Sequence, residues 1–83
     1  MGYNIVFKNS VGKDLSRLDK PTARRLLDKI EKELPGQADR QPVLKGEFAG
    51  LRKFRIGDYR VVFAIIGKDI LILRVGNRKE VYR

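Results

Sequence analysis

The chain has 83 residues and is strongly basic, with 19 Lys and Arg against 10 Asp and Glu and a formal charge of +9. It contains neither Cys nor His, which excludes disulfides, thiolate metal sites and the side chain most used for proton transfer near neutral pH. No apolar run approaches the roughly 20 residues of a membrane span, and the N-terminus does not resemble a signal peptide. We therefore expect a single cytoplasmic domain over residues 1–83 that does not contact a membrane.

The N-terminal segment predicts a short strand followed by a helix. The residues that alternate in the strand are Tyr3, Ile5 and Phe7. The apolar residues that then recur at helical spacing are Val11, Leu15 and Leu18. Asn9 or Ser10 is placed to cap the N-terminus of this helix.

A second helix is predicted after a break at residues 19–21. Pro21 suits its first turn, where a missing backbone N–H is tolerated. The apolar residues that share one face of this helix are Ala23, Leu26, Leu27, Ile30 and Leu34. Pro35 and Gly36 end it. The two segments therefore predict a helical hairpin with one shared apolar seam.

Three runs with strand character follow a polar loop over residues 36–49. They cover residues 51–56, 59–66 and 70–75, and Gly67 can supply the positive φ that a hairpin turn needs. The whole pattern predicts an α+β domain of order β-α-α-β-β-β. In it, the helical hairpin packs on one face of a mostly antiparallel four-stranded sheet.

The strand period of two residues concentrates positive charge on the face of the sheet without helices. Lys53 and Arg55 project from one face of their strand, and Arg60 on the next strand can share that face. The residues after the last strand that could close the rim are Arg78 and Tyr82. Segment 51–60 contains four basic residues and one acidic residue, which favours a polyanion site over an ordinary solvated surface.

The chemistry open to such a site is restricted to cations and tyrosines. The acidic residues lie mostly in predicted helices and turns, so we expect no metal site and no other cofactor. Cleavage of RNA by its own 2′-OH needs a proton acceptor, charge stabilisation at phosphorus and a proton donor. In the alternative interpretation, Arg60 forms a surface ion pair with Asp58 or Glu47 that has little energetic effect.

Three spaced blocks of sequence resemble the RelE/ParE toxin superfamily. They cover residues 44–46, 50–63 and 75–82, and the order of elements is similar over nearly the whole chain. RelE-type members cleave mRNA in the ribosomal A site without metal and leave a 2′,3′-cyclic phosphate. ParE-type members share the fold, lack the nuclease residues and poison DNA gyrase. The resemblance implies an endoribonuclease toxin of a type II toxin–antitoxin pair, with a ParE-like gyrase inhibitor or a non-catalytic RNA- or ribosome-binding protein as the alternative.

The resemblance also implies roles for individual residues. Arg60 matches the arginine that stabilises charge on the scissile phosphate, and Arg78 matches one that stabilises the transition state or protonates the leaving group. Tyr82 matches a tyrosine that stacks on or orients the nucleotide, and Lys53 matches a lysine proposed as general base. The further candidates for RNA binding are Lys45, Arg52, Arg55, Lys79 and Arg83.

Two departures from the family pattern leave the general base open. A second catalytic lysine of some members aligns with Leu51, and a histidine of many relatives aligns with Asn77, which cannot transfer a proton as histidine does. The partners that the resemblance implies are the ribosome, mRNA and a cognate antitoxin with an acidic or partly disordered segment. We expect that segment to occupy the groove between the helical hairpin and the sheet.

Overall fold

The computed structural model describes residues 3–44 and 50–77. Its helices and strands are β1 (Asn4–Phe7), α1 (Asn9–Ser16), α2 (Lys20–Glu33), β2 (Arg52–Ile56), β3 (Tyr59–Ile66) and β4 (Asp69–Asn77). Two single turns of 3-10 helix, Leu34–Gly36 and Ala38–Arg40, lie between α2 and β2. The predicted order of elements is confirmed. In the described residues, no helix is long and apolar enough to cross a membrane.

The four strands form one sheet in the order β1-β4-β3-β2. The pairs β2–β3 and β3–β4 are antiparallel, whereas β1 runs parallel to β4. Gly57 and Gly67 lie in the two hairpin turns with φ of 58° and 61°, a conformation that costs glycine little. The mostly antiparallel sheet is therefore as predicted, with its turns set by glycines.

One hydrophobic core lies between the helices and one face of the sheet. Its members are Val11, Leu26, Ile30, Leu34, Ala38, Phe54, Ile56, Val61, Phe63, Ile70, Ile72 and Val75. Alternation along β3 sends Val61 and Phe63 into this core, as the sequence predicts. The opposite face of the sheet, turned away from α1 and α2, is called the far face below.

The apolar face of α2 is narrower than the sequence predicts. Leu26, Ile30 and Leu34 are fully buried, whereas Ala23 and Leu27 are only half-buried. The helix α1 packs mainly on β4 and contacts α2 at few points. Each helix therefore buries its own stripe against the sheet, and the contact between the helices contributes less than expected.

The start of α2 is as predicted, but the predicted N-cap of α1 is wrong. Pro21 lies in the first turn of α2, and the Asp19 carboxylate accepts a hydrogen bond from the Thr22 N–H at 3.3 Å. A hydrogen bond with the Thr22 side chain, together with this backbone bond, holds the pKa of Asp19 below its usual value. The N-cap of α1 is Lys8, without a side-chain bond. Ser10 does not cap the helix because its hydroxyl donates to the Leu73 carbonyl at 2.7 Å instead.

Candidate functional site

Strand pairing brings three predicted cations together on the far face. Arg60 of β3 lies directly opposite Arg55 of β2, and Lys53 lies diagonally across from it, opposite Val62. Directly opposite residues have Cβ atoms about 5 Å apart, and diagonal neighbours are about 7–8 Å apart. Lys53, Arg55 and Arg60 are called the basic cluster below. The structure thus places three of the predicted site residues side by side.

Arg60 is the unusual member of the basic cluster because it is largely buried. Only 9% of its surface is exposed, although the sequence predicts an exposed position. In the described part of the chain, Arg60 forms no hydrogen bond or ion pair, so the predicted alternative of an Asp58 partner is not observed. Among residues 3–44 and 50–77, no fully buried side-chain nitrogen lacks a partner, so the guanidinium nitrogens of Arg60 retain some contact with solvent. Charged side chains are rarely buried to this extent without a partner.

Within the described part of the chain, no acidic side chain compensates the charge of the other two cations. Arg55 is exposed and donates one hydrogen bond, from Nε to the Gly57 carbonyl at 3.3 Å. Lys53 is half-buried, and within residues 3–44 and 50–77 it has no hydrogen bond or ion pair from its side chain. A like-charged pair placed directly across two strands, here Arg55 and Arg60, is destabilising. Such an arrangement suits an anionic ligand better than it suits the isolated fold.

The surroundings of Arg60 explain how its long side chain is accommodated. On β4 its neighbour is Gly76, which has no side chain to fill the space beside it. In the adjacent row, Val62 lies between Lys53 and Arg74 and is 1% exposed. The aliphatic part of Arg60 therefore lies beside apolar surface while its charged end keeps access to solvent.

Arg52, a predicted RNA-binding residue, contacts the chain that precedes β2. Its guanidinium donates to the carbonyls of Asp39 at 3.2 Å and Gln41 at 2.8 Å. A β-bridge between Val43 and Arg52 joins the same two segments. A role of Arg52 in RNA binding stays a prediction. The other predicted site residues, Lys45, Arg78, Lys79, Tyr82 and Arg83, lie outside the described residues, as does Glu47.

A second charged group, which the sequence analysis missed, joins α1 to β4. Asp14 is 9% exposed and accepts hydrogen bonds from Arg74 at 2.9 and 3.2 Å and from the Val75 N–H at 3.0 Å. The carboxylate raises the pKa of Arg74 further above its usual value. These contacts, together with the bond from Ser10 to the Leu73 carbonyl, are called the α1–β4 anchor. Arg74 is neutralised there and adds no free charge to the basic cluster.

The basic cluster can stabilise the negative charge of a phosphate, but it contains no carboxylate or imidazole that could accept a proton. A guanidinium can bind two phosphate oxygens at once, and an ammonium adds a compact charge beside it. Among the described residues, no group of three His, Cys, Asp or Glu side chains could hold a metal ion. A shallow depression on the other side of the molecule is lined by α2 alone, including Ala23 and Leu27, and a single helix does not enclose a ligand.

Solved structures with the same fold include bacterial and archaeal toxin–antitoxin proteins. The RelBE2 toxin–antitoxin complex from Mycobacterium tuberculosis matches with a TM-score of 0.87 and 26% identity, covering 94% of this chain and 100% of that chain. The archaeal RelE–RelB complex from Pyrococcus horikoshii matches with a TM-score of 0.64 and 34% identity, over 96% and 99% of the two chains. A mutant of the Escherichia coli toxin RelE in the free state has a TM-score of 0.76 over 99% and 92%, and at 22% identity shows the fold alone.

Sequence comparison gives the family. Residues 5–82 match the family model described as the ParE toxin of the type II toxin–antitoxin system parDE. No curated protein sequence is a significant match to this chain. Because the family model covers almost the whole chain, the protein belongs to the RelE/ParE superfamily of toxins from type II toxin–antitoxin systems.

Proposed function

We propose that this toxin is a ribosome-dependent, metal-independent endoribonuclease that cleaves mRNA in the A site through attack of the 2′-OH. The observation that carries the proposal is Arg60. It is largely buried, has no described partner, and is directly opposite Arg55. A fold does not maintain such a charge for its own stability, because burying a cation beside another cation is unfavourable. The phosphates of an RNA strand bound at the basic cluster would neutralise both arginines.

Each residue of the basic cluster has a separate proposed role at the scissile phosphate. Arg60 stabilises the charge that develops on the phosphate oxygens, and Arg55 binds an adjacent phosphate. Lys53, when its amine is neutral, is the candidate to accept the proton of the 2′-OH. Arg78 and Tyr82 keep the roles that the family resemblance implies. Arg78 stabilises the transition state or protonates the leaving oxygen, and Tyr82 stacks on or orients the nucleotide. The ribosome would contribute by holding the codon with its 2′-OH in line with phosphorus, since orientation can supply about 7–11 kcal/mol.

A cognate antitoxin would neutralise this activity. The RelBE2 and archaeal RelE–RelB structures are both toxin–antitoxin complexes. A net charge of +9 favours a partner with an acidic segment, because opposite charge accelerates association and improves the fit of the interface. We infer that such a segment occupies the groove between the helices and the sheet. Growth arrest by the toxin alone, relieved by coexpression of an adjacent acidic gene product, would support this partner.

Gyrase inhibition is the second candidate because the matching family model is named for the ParE toxin. Primer extension on a reporter mRNA after induced expression distinguishes the two functions. The nuclease predicts new 5′ ends within codons in the wild type and none in Arg60→Ala, at equal soluble expression. Intact message accompanied by trapped gyrase–DNA complexes would overturn the nuclease in favour of gyrase inhibition.

A further inference from the structure

The last strand contains an irregularity close to the basic cluster. Phe63 of β3 is opposite Ile72 of β4, but the preceding residue, Val62, is opposite Arg74. Leu73 is therefore an extra residue on β4, which is the definition of a β-bulge. Bulges are enriched beside active sites, where they change the direction of a side chain.

This bulge reverses the alternation of side chains along β4. Ile72 and Val75 both belong to the core although they are three positions apart, a spacing that puts side chains on opposite faces of a regular strand. As a result Gly76 falls on the far face, opposite Arg60. In a regular strand, Gly76 would share the core face with Ile72, and a larger residue would lie beside Arg60. The position of the bulge therefore determines what borders Arg60, and Arg78 follows Gly76 by only two residues in the sequence.

The bulge begins where β4 loses its parallel neighbour. The pairing with β1 ends at Phe7 and Ile72, and the chain then turns into α1 after a last backbone bond from the Lys8 N–H to the Ile72 carbonyl. From Leu73 to Val75, the polar groups on that edge of β4 are bound by the α1–β4 anchor instead. Within the sheet, this stretch of β4 pairs only with β3. The anchor therefore fixes its other edge.

We propose that Asp14 and Arg74 are positioning residues that hold the β4 bulge in register and thereby set Gly76 relative to Arg60. This inference rests on the proposed nuclease function. Asp14 contacts both the side chain of Arg74 and the backbone N–H of Val75, so a single carboxylate fixes two consecutive residues. Neither residue needs to contact RNA for this role.

Asp14→Asn is the sharpest test because asparagine preserves the size of the side chain. Its oxygen can still accept the Val75 N–H, but its NH₂ group would then face the Nη2 donor of Arg74. In cleavage of ribosome-bound mRNA, the single-turnover rate at saturating toxin should fall about 100-fold, the loss expected from a misplacement of about 1 Å. The toxin concentration that gives the half-maximal rate should change little. Arg74→Lys, which retains the charge without the two-pronged bond, should lose less activity.

The matched control is Ile30→Val in the buried face of α2, chosen to give a similar loss of thermal stability far from the basic cluster. A positioning role predicts that this control retains wild-type kinetics at a temperature where it and Asp14→Asn are both folded. If Asp14→Asn cleaves as fast as Ile30→Val, Asp14 is merely structural and the inference is overturned. If Asp14→Asn does not fold, the same comparison is made with Arg74→Lys.

A structural measurement separates this inference from the proposed function. Nuclear Overhauser contacts between Arg60 and Gly76 report their pairing directly, with or without enzymatic activity. They should be present in the wild type and weakened or shifted in Asp14→Asn, while contacts across β2–β3 persist. Unchanged Arg60–Gly76 contacts in the variant would overturn the positioning role. A wild-type protein that shows the contacts but cleaves no mRNA would instead overturn the proposed nuclease function.

Discussion

Replacing Arg60 with methionine separates the role of its charge from the packing of its side chain. Methionine retains a flexible unbranched chain that can follow the buried path of the arginine. Since Arg60 forms no hydrogen bond or ion pair in the described part of the chain, the substitution breaks no such contact there. It also removes the repulsion from Arg55. We expect Arg60→Met to be at least as stable as the wild type and to cleave mRNA far more slowly.

The size of both effects follows from the geometry of the basic cluster. The Cβ atoms of directly opposite residues lie about 5 Å apart. Two unit charges held at that separation would repel by about 1 kcal/mol in water and by about 3 kcal/mol at an effective dielectric constant near 20. Arg55 is exposed, so screening by solvent places the repulsion near the lower value. The free energy of unfolding should therefore rise by up to about 1 kcal/mol. The cleavage rate should fall by about 10²–10³ because a contact to the transition state is lost.

Urea unfolding at low and high salt measures the stability effect. The gain from Arg60→Met should disappear near 1 M salt, where the Debye length is about 3 Å. Arg24→Met, an exposed substitution on α2, is the matched control and should change neither stability nor cleavage. A double variant with Arg55→Met should show that the two substitutions are not additive, because they remove the same repulsion. If Arg60→Met loses more than about 1 kcal/mol but cleaves normally, Arg60 is structural and the reasoning fails.

Three further predictions concern the fold. Asp19→Ala should unfold at a lower temperature than the wild type at neutral pH. Because the pKa of Asp19 is lowered from 3.8, calorimetry should show this difference vanishing as the pH falls below that value and through the lower folded-state pKa. Leu26→Ala should lose about 2–5 kcal/mol in urea unfolding, and half-buried Leu27→Ala clearly less; equal losses would contradict the assigned faces of α2. Arg52→Met should lose about 1–2 kcal/mol with its two carbonyl contacts, and unchanged stability would show that they contribute nothing.

Local patterns in the sequence predict most of the fold. Pro21 and Asp19 mark the start of α2 through backbone chemistry that depends on adjacent residues alone. Glycine in each hairpin turn joins β2, β3 and β4 with little freedom of register. Once the register is fixed, a period of two residues suffices to place Lys53, Arg55 and Arg60 on one face. The basic cluster is therefore predictable because every step that leads to it is local.

The α1–β4 anchor was not predicted because it joins residues about sixty positions apart. Two signals were nevertheless present in the sequence. Asp14 lies three residues after Val11, within the apolar stripe of α1, and Arg74 interrupts the apolar residues of β4. A charge in each of two apolar stripes suggests a buried pair. The same distant contact explains the wrong N-cap, since Ser10 reaches the Leu73 carbonyl rather than its own helix.

The burial of Arg60 also could not be predicted from the alternation of residues in the sequence. An antiparallel sheet with helices on one face is expected to leave its other face to solvent. That expectation fails here, since Arg60, which lies opposite Gly76, is 9% exposed and Val62 is 1% exposed. Gly76 reaches that position only because of the bulge at Leu73, which alternation alone cannot indicate.

Cleavage of ribosome-bound mRNA by the purified toxin shows directly whether the protein is a ribosome-dependent endoribonuclease. Reporter mRNA on ribosomes, in buffer that retains magnesium, is compared with the same RNA free in solution, with and without EDTA. A ribosome-dependent, metal-independent nuclease should cleave rapidly within the A-site codon on ribosomes and leave products with 2′,3′-cyclic phosphate ends. It should cleave free RNA slowly, and EDTA should not change that slow rate. Equally rapid cleavage of free RNA would contradict the dependence on the ribosome. No cleavage in either sample, with folded protein confirmed, would contradict the nuclease itself.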